Sequence, residues 1–333
     1  MADARNLYVH FPFCRRKCRY CALHSRVGVT AERRAAHVAE VAREVKARGL
    51  GDGTLATVYF GGGSPALCDL RPLFEALGRQ SNNLEFTVEL HPLDVTAELL
   101  ATLREGGVNR ISMGVQSLDD AILADMGRSY TFAEADRAFY LIREHFDNAG
   151  IDLIVGYPGE TAALTPRHAR LAKWGLRHCS VYALQNERGL KGVVDDETVM
   201  NRLAVTAAFL KDIGLERYEI SNYAAPGYEC RHNLAVWRGE DYVGLGEGAC
   251  GRLGLARTRD GKVTETLPPE RDAVERRIFR LRTREGLDAT GYPQWERPLA
   301  AFVREGTLTR DGAVYRLTPR GMEVCDTILA ELV

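Results

Sequence analysis

The chain predicts an α/β fold: an open, partial (β/α)6 barrel followed by a helical, winged-helix-like region. Three observations carry this. Six short β-branched runs alternate with helical stretches between residues 7 and 184. Such alternation gives parallel strands joined by right-handed crossovers. Unusual cysteine, glycine and polar residues fall at the carboxyl ends of those runs, where α/β folds assemble their sites. A later stretch combines helical patterns with an Asp-Gly hairpin signal.

The predicted strands span residues 7–10, 57–60, 86–90, 110–114, 151–155 and 180–184. Helical patterns lie between them at 31–48, 70–78, 96–104, 119–125 with 132–145, and 164–174. Thr30 and Thr96 are N-caps, because a hydroxyl there can accept from a free first-turn N–H. Six units are too few for a full eight-stranded barrel. Residues 1–184 therefore form the first domain.

The second domain, 185–267, holds a helical stretch at 195–213 and the segments 218–224 and 230–233. A glycine-rich run follows at 243–254, then a small hairpin at 258–265 turning at Asp260-Gly261. Pro268-Pro269 marks the next boundary. The third domain, 268–333, has helices at 270–284 and 295–304. Strands at 308–310 and 313–317 flank Asp311-Gly312, and a final helix opens at Thr318-Pro319. Arg276, Arg277, Arg280, Arg282 and Arg284 are interleaved with Glu275 and Glu285, the pattern of a solvated helix face.

Composition excludes some classes. At 45% hydrophobic and 27% charged residues, the 333-residue chain is ordinary for a soluble globular protein. A formal net charge of −1 gives no electrostatic reason to expect a nucleic-acid partner. No apolar run approaches the ~18 residues of a membrane span. The opening Met1-Ala2-Asp3-Ala4-Arg5 has no signal-peptide core, so a cytoplasmic protein is expected. Cys68, Cys179, Cys230, Cys250 and Cys325 are scattered, as small buried hydrophobes are.

Three cysteines stand apart. Cys14, Cys18 and Cys21 are spaced C-x3-C-x2-C directly after the first strand. In a reducing compartment a close trio reads as metal binding before disulfides. Three thiolates suit a cubane iron–sulfur cluster with one iron left open. A zinc site completed by a distant ligand and three unrelated buried thiols are the other readings. Arg15, Arg16, Lys17 and Arg19 would favour thiolate over thiol.

The other strand ends add polar chemistry. Gly61-Gly62-Gly63 either admits a ligand's amino group to the backbone or makes a tight turn. Glu89 ends an apolar strand, where a buried charge needs a partner: a ligand amine or hydroxyl, or a salt bridge to Arg110. Gln116 carries donor and acceptor, Arg128 is a fork for a carboxylate, and Asp152 can accept from ribose hydroxyls. Singly each is more often structural. At successive strand ends they favour a polar small-molecule site.

The cysteine trio with Tyr20 before its last member resembles the cluster motif of the radical S-adenosylmethionine (SAM) superfamily. That resemblance implies a [4Fe–4S] cluster on Cys14, Cys18 and Cys21, with SAM on the open iron and cleaved to methionine and a 5′-deoxyadenosyl radical. A closer likeness runs along nearly the whole chain, to the HemW heme chaperones and their relatives, the oxygen-independent coproporphyrinogen III oxidases (HemN). It is carried by Leu7-Tyr8-Val9-His10-Phe11-Pro12-Phe13-Cys14, Tyr59-Phe60-Gly61-Gly62-Gly63-Ser64-Pro65, Gly107-Val108-Asn109-Arg110-Ile111-Ser112-Met113-Gly114-Val115-Gln116-Ser117, Ile151-Asp152-Leu153-Ile154-Val155-Gly156-Tyr157-Pro158-Gly159 and Tyr218-Glu219-Ile220-Ser221-Asn222-Tyr223-Ala224. The resemblance implies that Tyr8, Gly62, Gly63, Ser64, Glu89, Gln116, Arg128 and Asp152 surround SAM.

Two features favour the chaperone branch. Leu23 stands where the oxidases carry a further Cys, and Leu7 is almost the chain start where they have a long arm. The branch's heme-linked H-N-x-x-Y-W motif corresponds to His232-Asn233-Leu234-Ala235-Val236-Trp237, with Val236 for Tyr; Cys250 stands where relatives usually carry His. His232 is then an axial-ligand candidate for heme, with Cys230 and Cys250 as thiolate candidates. An extended segment would put Cys230 and His232 on one face. Trp237 is either a porphyrin stacking surface or core. Implied partners are heme or another tetrapyrrole, acceptor hemoproteins, and an electron donor such as flavodoxin or ferredoxin. The alternative is a HemN-like enzyme, decarboxylating coproporphyrinogen III or transferring methyl groups.

Overall fold

The computed structural model describes residues 4–51, 53–161 and 164–333. Met1, Ala2 and Asp3 of the opening segment lie outside the described residues. The barrel region runs β1 (Asn6–Phe11), β2 (Phe13–Cys14), β3 (Arg26–Val27), α1 (Ala31–Ala47), β4 (Thr57–Gly62), α2 (Arg71–Leu77) and β5 (Glu85–Leu90). It continues with α3 (Ala97–Glu105), β6 (Arg110–Gln116), α4 (Asp120–Asp125), α5 (Phe132–His145), β7 (Asn148–Val155), α6 (Pro166–Leu171) and β8 (His178–Ala183). All six predicted strands form. Thr30 and Thr96 cap α1 and α3, accepting from the N–H groups of Arg33 and Leu99.

Strand alternation sets the layers. Leu7, Val9 and Phe11, with Val58, Phe60, Phe86, Val88, Ile111 and Met113, face the helices and share one core with Val38, Val41 and Val45 of α1. A buried Val, Leu or Phe contributes about 1.5–3 kcal/mol, against about 1 kcal/mol for a cap. Packing therefore holds α1 in place, and the cap sets only where it starts. The intervening residues Tyr8, His10, Tyr59, Thr87, Glu89 and Ser112 give the inner face a polar lining.

The later segments add α7 (Asp196–Asp212), β9 (Glu216–Arg217), β10 (Asn222–Ala224), α8 (Arg231–Trp237), β11 (Tyr242–Leu245), β12 (Cys250–Leu253), β13 (Ala256–Arg259) and β14 (Lys262–Thr266). They extend the sheet at both edges, giving the order β14-β13-β12-β11-β1-β4-β5-β6-β7-β8-β10-β9. The parallel set is one strand larger than the predicted six. β11, within the stretch read as glycine-rich, lies parallel to β1 with Tyr8 opposite Gly244, as Tyr8 is opposite Tyr59 on the other side. The predicted hairpin is present as β13–β14. Its Asp260 and Gly261 both have positive φ, 53° and 71°, the requirement of a two-residue hairpin turn. The sheet stays open, ending on β14 and β9.

The carboxyl-terminal region packs α9 (Pro269–Ile278), β15 (Leu287–Asp288), α10 (Glu296–Arg304), β16 (Leu308–Asp311), β17 (Val314–Leu317), α11 (Pro319–Glu323) and α12 (Cys325–Ala330) around Leu281, Trp295, Leu299 and Ile328. The expected last helix is broken at Val324 into two short ones. Its basic residues are largely spent inside the fold: Arg276 on Asp272 and Asp241, Arg282 on Asp326, Arg284 on Glu229.

Candidate functional site

The cysteine loop leaves the carboxyl end of β1. Cys14, Cys18 and Cys21 are free and partly buried, near enough to feel one another's charge. Burial, joined by the neighbouring Cys21 and Cys18, raises the Cys14 thiol against the lowering effects of a hydrogen bond with Ser25 and, last, the Lys17 charge. At Cys14 burial thus outweighs the expected thiolate-favouring effect of the flanking cations, three of which are engaged elsewhere. Arg15 pairs with Asp94, Arg19 with Asp125, and Lys17 bonds Ser25 and the Leu23 carbonyl. Among the described residues no three His, Cys or carboxylate side chains gather as around a single ion. A cubane takes each thiolate at a separate corner, so three half-exposed thiols in one short loop are a fitting donor set for it.

The glycine turn packs straight onto this loop. Gly63 N–H donates to Phe11 O and Ser64 N–H to Phe13 O, both at 2.7 Å. A Cβ on Gly63 would lie 2.4 Å from Phe13 O, and one on Gly62, at φ +102°, 2.4 Å from His10. Here the turn needs glycine for close approach, and only at Gly62 also for conformation.

Glu89 accepts from Tyr59 Oη at 2.8 Å and from Gly62 N–H at 3.0 Å. It makes no salt bridge to Arg110, the other expectation for it; Arg110 instead donates to Thr87. Burial, reinforced by the charge of Asp152, pushes the Glu89 carboxyl up to about 7. Asp152, also raised by burial, accepts from Ser112 Oγ at 3.1 Å. Tyr8 Oη bonds His10 Nδ1 at 2.8 Å. Gln116 sits at φ 69° beyond a bulge in β6, its amide folded over Gly114. A non-glycine residue in that conformation is uncommon and marks a constrained position. Arg128 reaches the hydroxyl of Tyr20, the aromatic before Cys21, and stacks over the rings of Tyr20 and Tyr130 at 5.7 and 5.9 Å. Its Nε is buried without a partner. Tyr182, on the inner face of β8, is 44% exposed and close enough to Asp152 and Glu89 to feel their charge.

Sequence reading missed Tyr182, and it missed Asp94, which joins Ser64 to Arg15. Asp94 ends a short 3-10 turn two residues after Pro92, where nothing in the pattern separates it from an ordinary turn residue.

The segment around His232 differs from expectation. It is helical, not extended: Cys230 is the N-cap of α8, so Cys230 and His232 do not share an extended face. The carboxylate of Glu85, at the start of β5, accepts from the N–H groups of Arg231 and His232 at 2.8 and 2.9 Å. His232 is 5% exposed, with Nδ1 bonded to Thr57 Oγ1 at 2.8 Å. Burial and the Arg110 charge bring its imidazole down to about 4, hence neutral. Cys230 is fully buried and its thiol is pushed up to about 12, so it is no thiolate; Cys250 is exposed. Trp237 donates to Glu219 at 3.0 Å, and Arg282 lies over its ring at 5.0 Å, which ties the barrel to the carboxyl-terminal region.

A cysteine loop, a glycine turn and a ring of polar strand ends on an open parallel sheet define a radical SAM protein. Residues 8–172 match the family model of the Radical SAM superfamily, whose members use a [4Fe–4S] cluster and SAM. The chain is 31% identical to the heme chaperone HemW of Mycobacterium tuberculosis, over 98% of this chain and 94% of that one. It is 32% identical to HemW of Bacillus subtilis, over 76% and 72%. Its fold matches coproporphyrinogen III oxidase (HemN) from Escherichia coli, a radical SAM enzyme, at TM-score 0.83 and 21% identity, covering 99% of this chain and 90% of that one. The chain belongs to the HemW family of radical SAM proteins.

Proposed function

We propose that this chain binds heme and hands it to acceptor hemoproteins in the cytoplasm, supported by a cluster and SAM at the strand ends. The observation that carries this is the nearly full-length likeness to a curated heme chaperone. Leu23 at the position of the oxidases' further Cys supports it. No helix among the described residues is long and apolar enough to cross a membrane.

In this reading Cys14, Cys18 and Cys21 would hold the cluster, with an electron carrier of the flavodoxin or ferredoxin class as a partner. When bound, the cluster supplies an open iron position and an electron to SAM. The chain's own residues orient the cofactor. Glu89 and the Gly62–Ser64 turn receive the amino group, Arg128 the carboxylate, and Asp152 the ribose, with Tyr8 and Gln116 lining the remainder.

SAM affinity is expected to rise with pH through about 7. Below that value Glu89 keeps its proton and offers a cationic amine no charge. Near neutrality, binding then releases part of a proton. Calorimetry in two buffers of different ionisation enthalpy measures that release, and Glu89→Gln should remove it. Equal heats in both buffers for the native chain would rule the assignment out. The same raised value has a stability consequence. Glu89's contribution is fully present below the ordinary 4.5 and is lost as pH rises through about 7.

Heme binding is tested anaerobically on the cluster-loaded protein by titrating hemin and following the Soret band. A saturable shift with little 5′-deoxyadenosine is the expected outcome; no shift would refute the reading. His232 lies under the barrel, so heme reaches it only if α8 leaves its seat. Loss of the shift in His232→Ala places the iron there, and loss in Cys250→Ser places it on the exposed thiol.

A HemN-like enzyme is the second reading. It is favoured by the contrast between an intact SAM-type polar set and a heme segment that departs from its motif at Val236 and Cys250. Reductant-dependent 5′-deoxyadenosine in step with a modified tetrapyrrole would select it.

A further inference from the structure

The end of β5 grips the glycine turn twice. Glu89 accepts from Gly62 N–H on the inner side. Five residues on, at the end of a short 3-10 turn, Asp94 accepts from Ser64 Oγ at 2.5 Å on the other side. The second oxygen of Asp94 faces the cluster loop and takes Arg15, next to Cys14, at 2.8 Å from Nε and 2.6 Å from the outer nitrogen. The Asp94 side chain is 2% exposed, whereas that of Arg15 is 59% exposed.

A buried carboxylate with one oxygen on each of two loops fixes the distance between them. Charge-assisted bonds of this length are stronger than neutral ones and hold geometry. An isolated buried carboxylate would be costly, so both partners are required. Ser64 spends its hydroxyl proton on Asp94 and keeps only acceptor capacity toward a ligand. Arg15 is drawn to the base of the loop while most of its side chain stays in solvent.

We infer that Asp94 is a positioning residue that locks the cluster loop to the turn receiving the SAM amine, so that cluster and cofactor are held in one register. This rests on the SAM-binding reading. Asp94 touches neither group; it acts through Ser64 and Arg15. Loosening it lets the two loops move apart without removing any ligand.

The test uses the full chain, reconstituted anaerobically, with three readouts: iron and sulfide content, SAM affinity by equilibrium dialysis, and the electron paramagnetic resonance spectrum of the reduced cluster with and without SAM. Asp94→Asn should load the cluster normally, weaken SAM binding on the order of tenfold, and broaden or abolish the SAM-induced spectral change. Should Asp94→Asn fail to load its cluster, Arg15→Gln decides. That side chain is largely exposed and its change leaves the Ser64–Asp94 bond in place, and it should give the same spectral change with a smaller loss of affinity. Native affinity and spectra in cluster-loaded Asp94→Asn, or in Arg15→Gln where that variant decides, would overturn the proposal. A native protein whose reduced spectrum ignores SAM would instead sink the SAM reading itself.

Discussion

Gly63→Ala is expected to abolish SAM binding and to destabilise the fold by about 2–6 kcal/mol. The backbone angle of Gly63 is not the obstacle; space is. The new Cβ would lie 2.4 Å from Phe13 O and 2.6 Å from Phe11 O, both main-chain atoms that cannot rotate away. Relief requires the turn to lift off the start of the cysteine loop. That breaks the bonds from Gly63 N–H and Ser64 N–H, each worth about 0.5–1.5 kcal/mol net, on top of about 1–3 kcal/mol for overpacking. Urea unfolding gives the stability change and equilibrium dialysis the affinity. A variant with native midpoint and native SAM affinity would show that this contact does not position the turn.

Glu85→Ala is expected to cost about 3–5 kcal/mol. It strips the acceptor from two N–H groups at the start of α8. It also removes the carboxylate whose field Arg110 feels most. Arg110 is 2% exposed and makes one side-chain hydrogen bond, at 3.3 Å to Thr87, while its Nε has none. An uncompensated buried guanidinium is a large penalty. Glu85→Gln keeps an acceptor and should lose roughly half as much. Because α8 carries His232 and Trp237, the alanine variant should also be cut faster by trypsin at Arg231 and Arg238. Native stability and native cleavage rates in Glu85→Ala would remove Glu85 from the seating of α8.

The barrel was legible because its signal is local and repeated. β-branched runs of the right length, caps at Thr30 and Thr96, and an Asp-Gly turn each declare themselves within a few residues. The strand-end polar residues were legible for the same reason, once parallel strands put their ends together. What escaped depends on distant partners. Tyr242–Leu245 is too short and too glycine-flanked to announce a strand, and it becomes one by pairing with β1. Cys230 and His232 looked extended because the acid that caps their helix, Glu85, sits 147 residues from His232. Arg15 looked like a charge for the thiolates until Asp94, 79 positions on, claimed it.

The place of β1 between β4 and β11 bears on how the protein matures on the ribosome. One edge of β1 stays bare until Tyr242–Leu245 emerge. At about 5–20 residues per second that takes tens of seconds. Through that interval the strand leading into the cysteine loop presents unpaired backbone groups, a template for mispairing. Metal delivered during synthesis would meet a loop whose supporting strand is half-seated. Cluster insertion is therefore expected to follow chain release, and nascent chains stalled before residue 242 should take up little iron while full-length chains take up their complement.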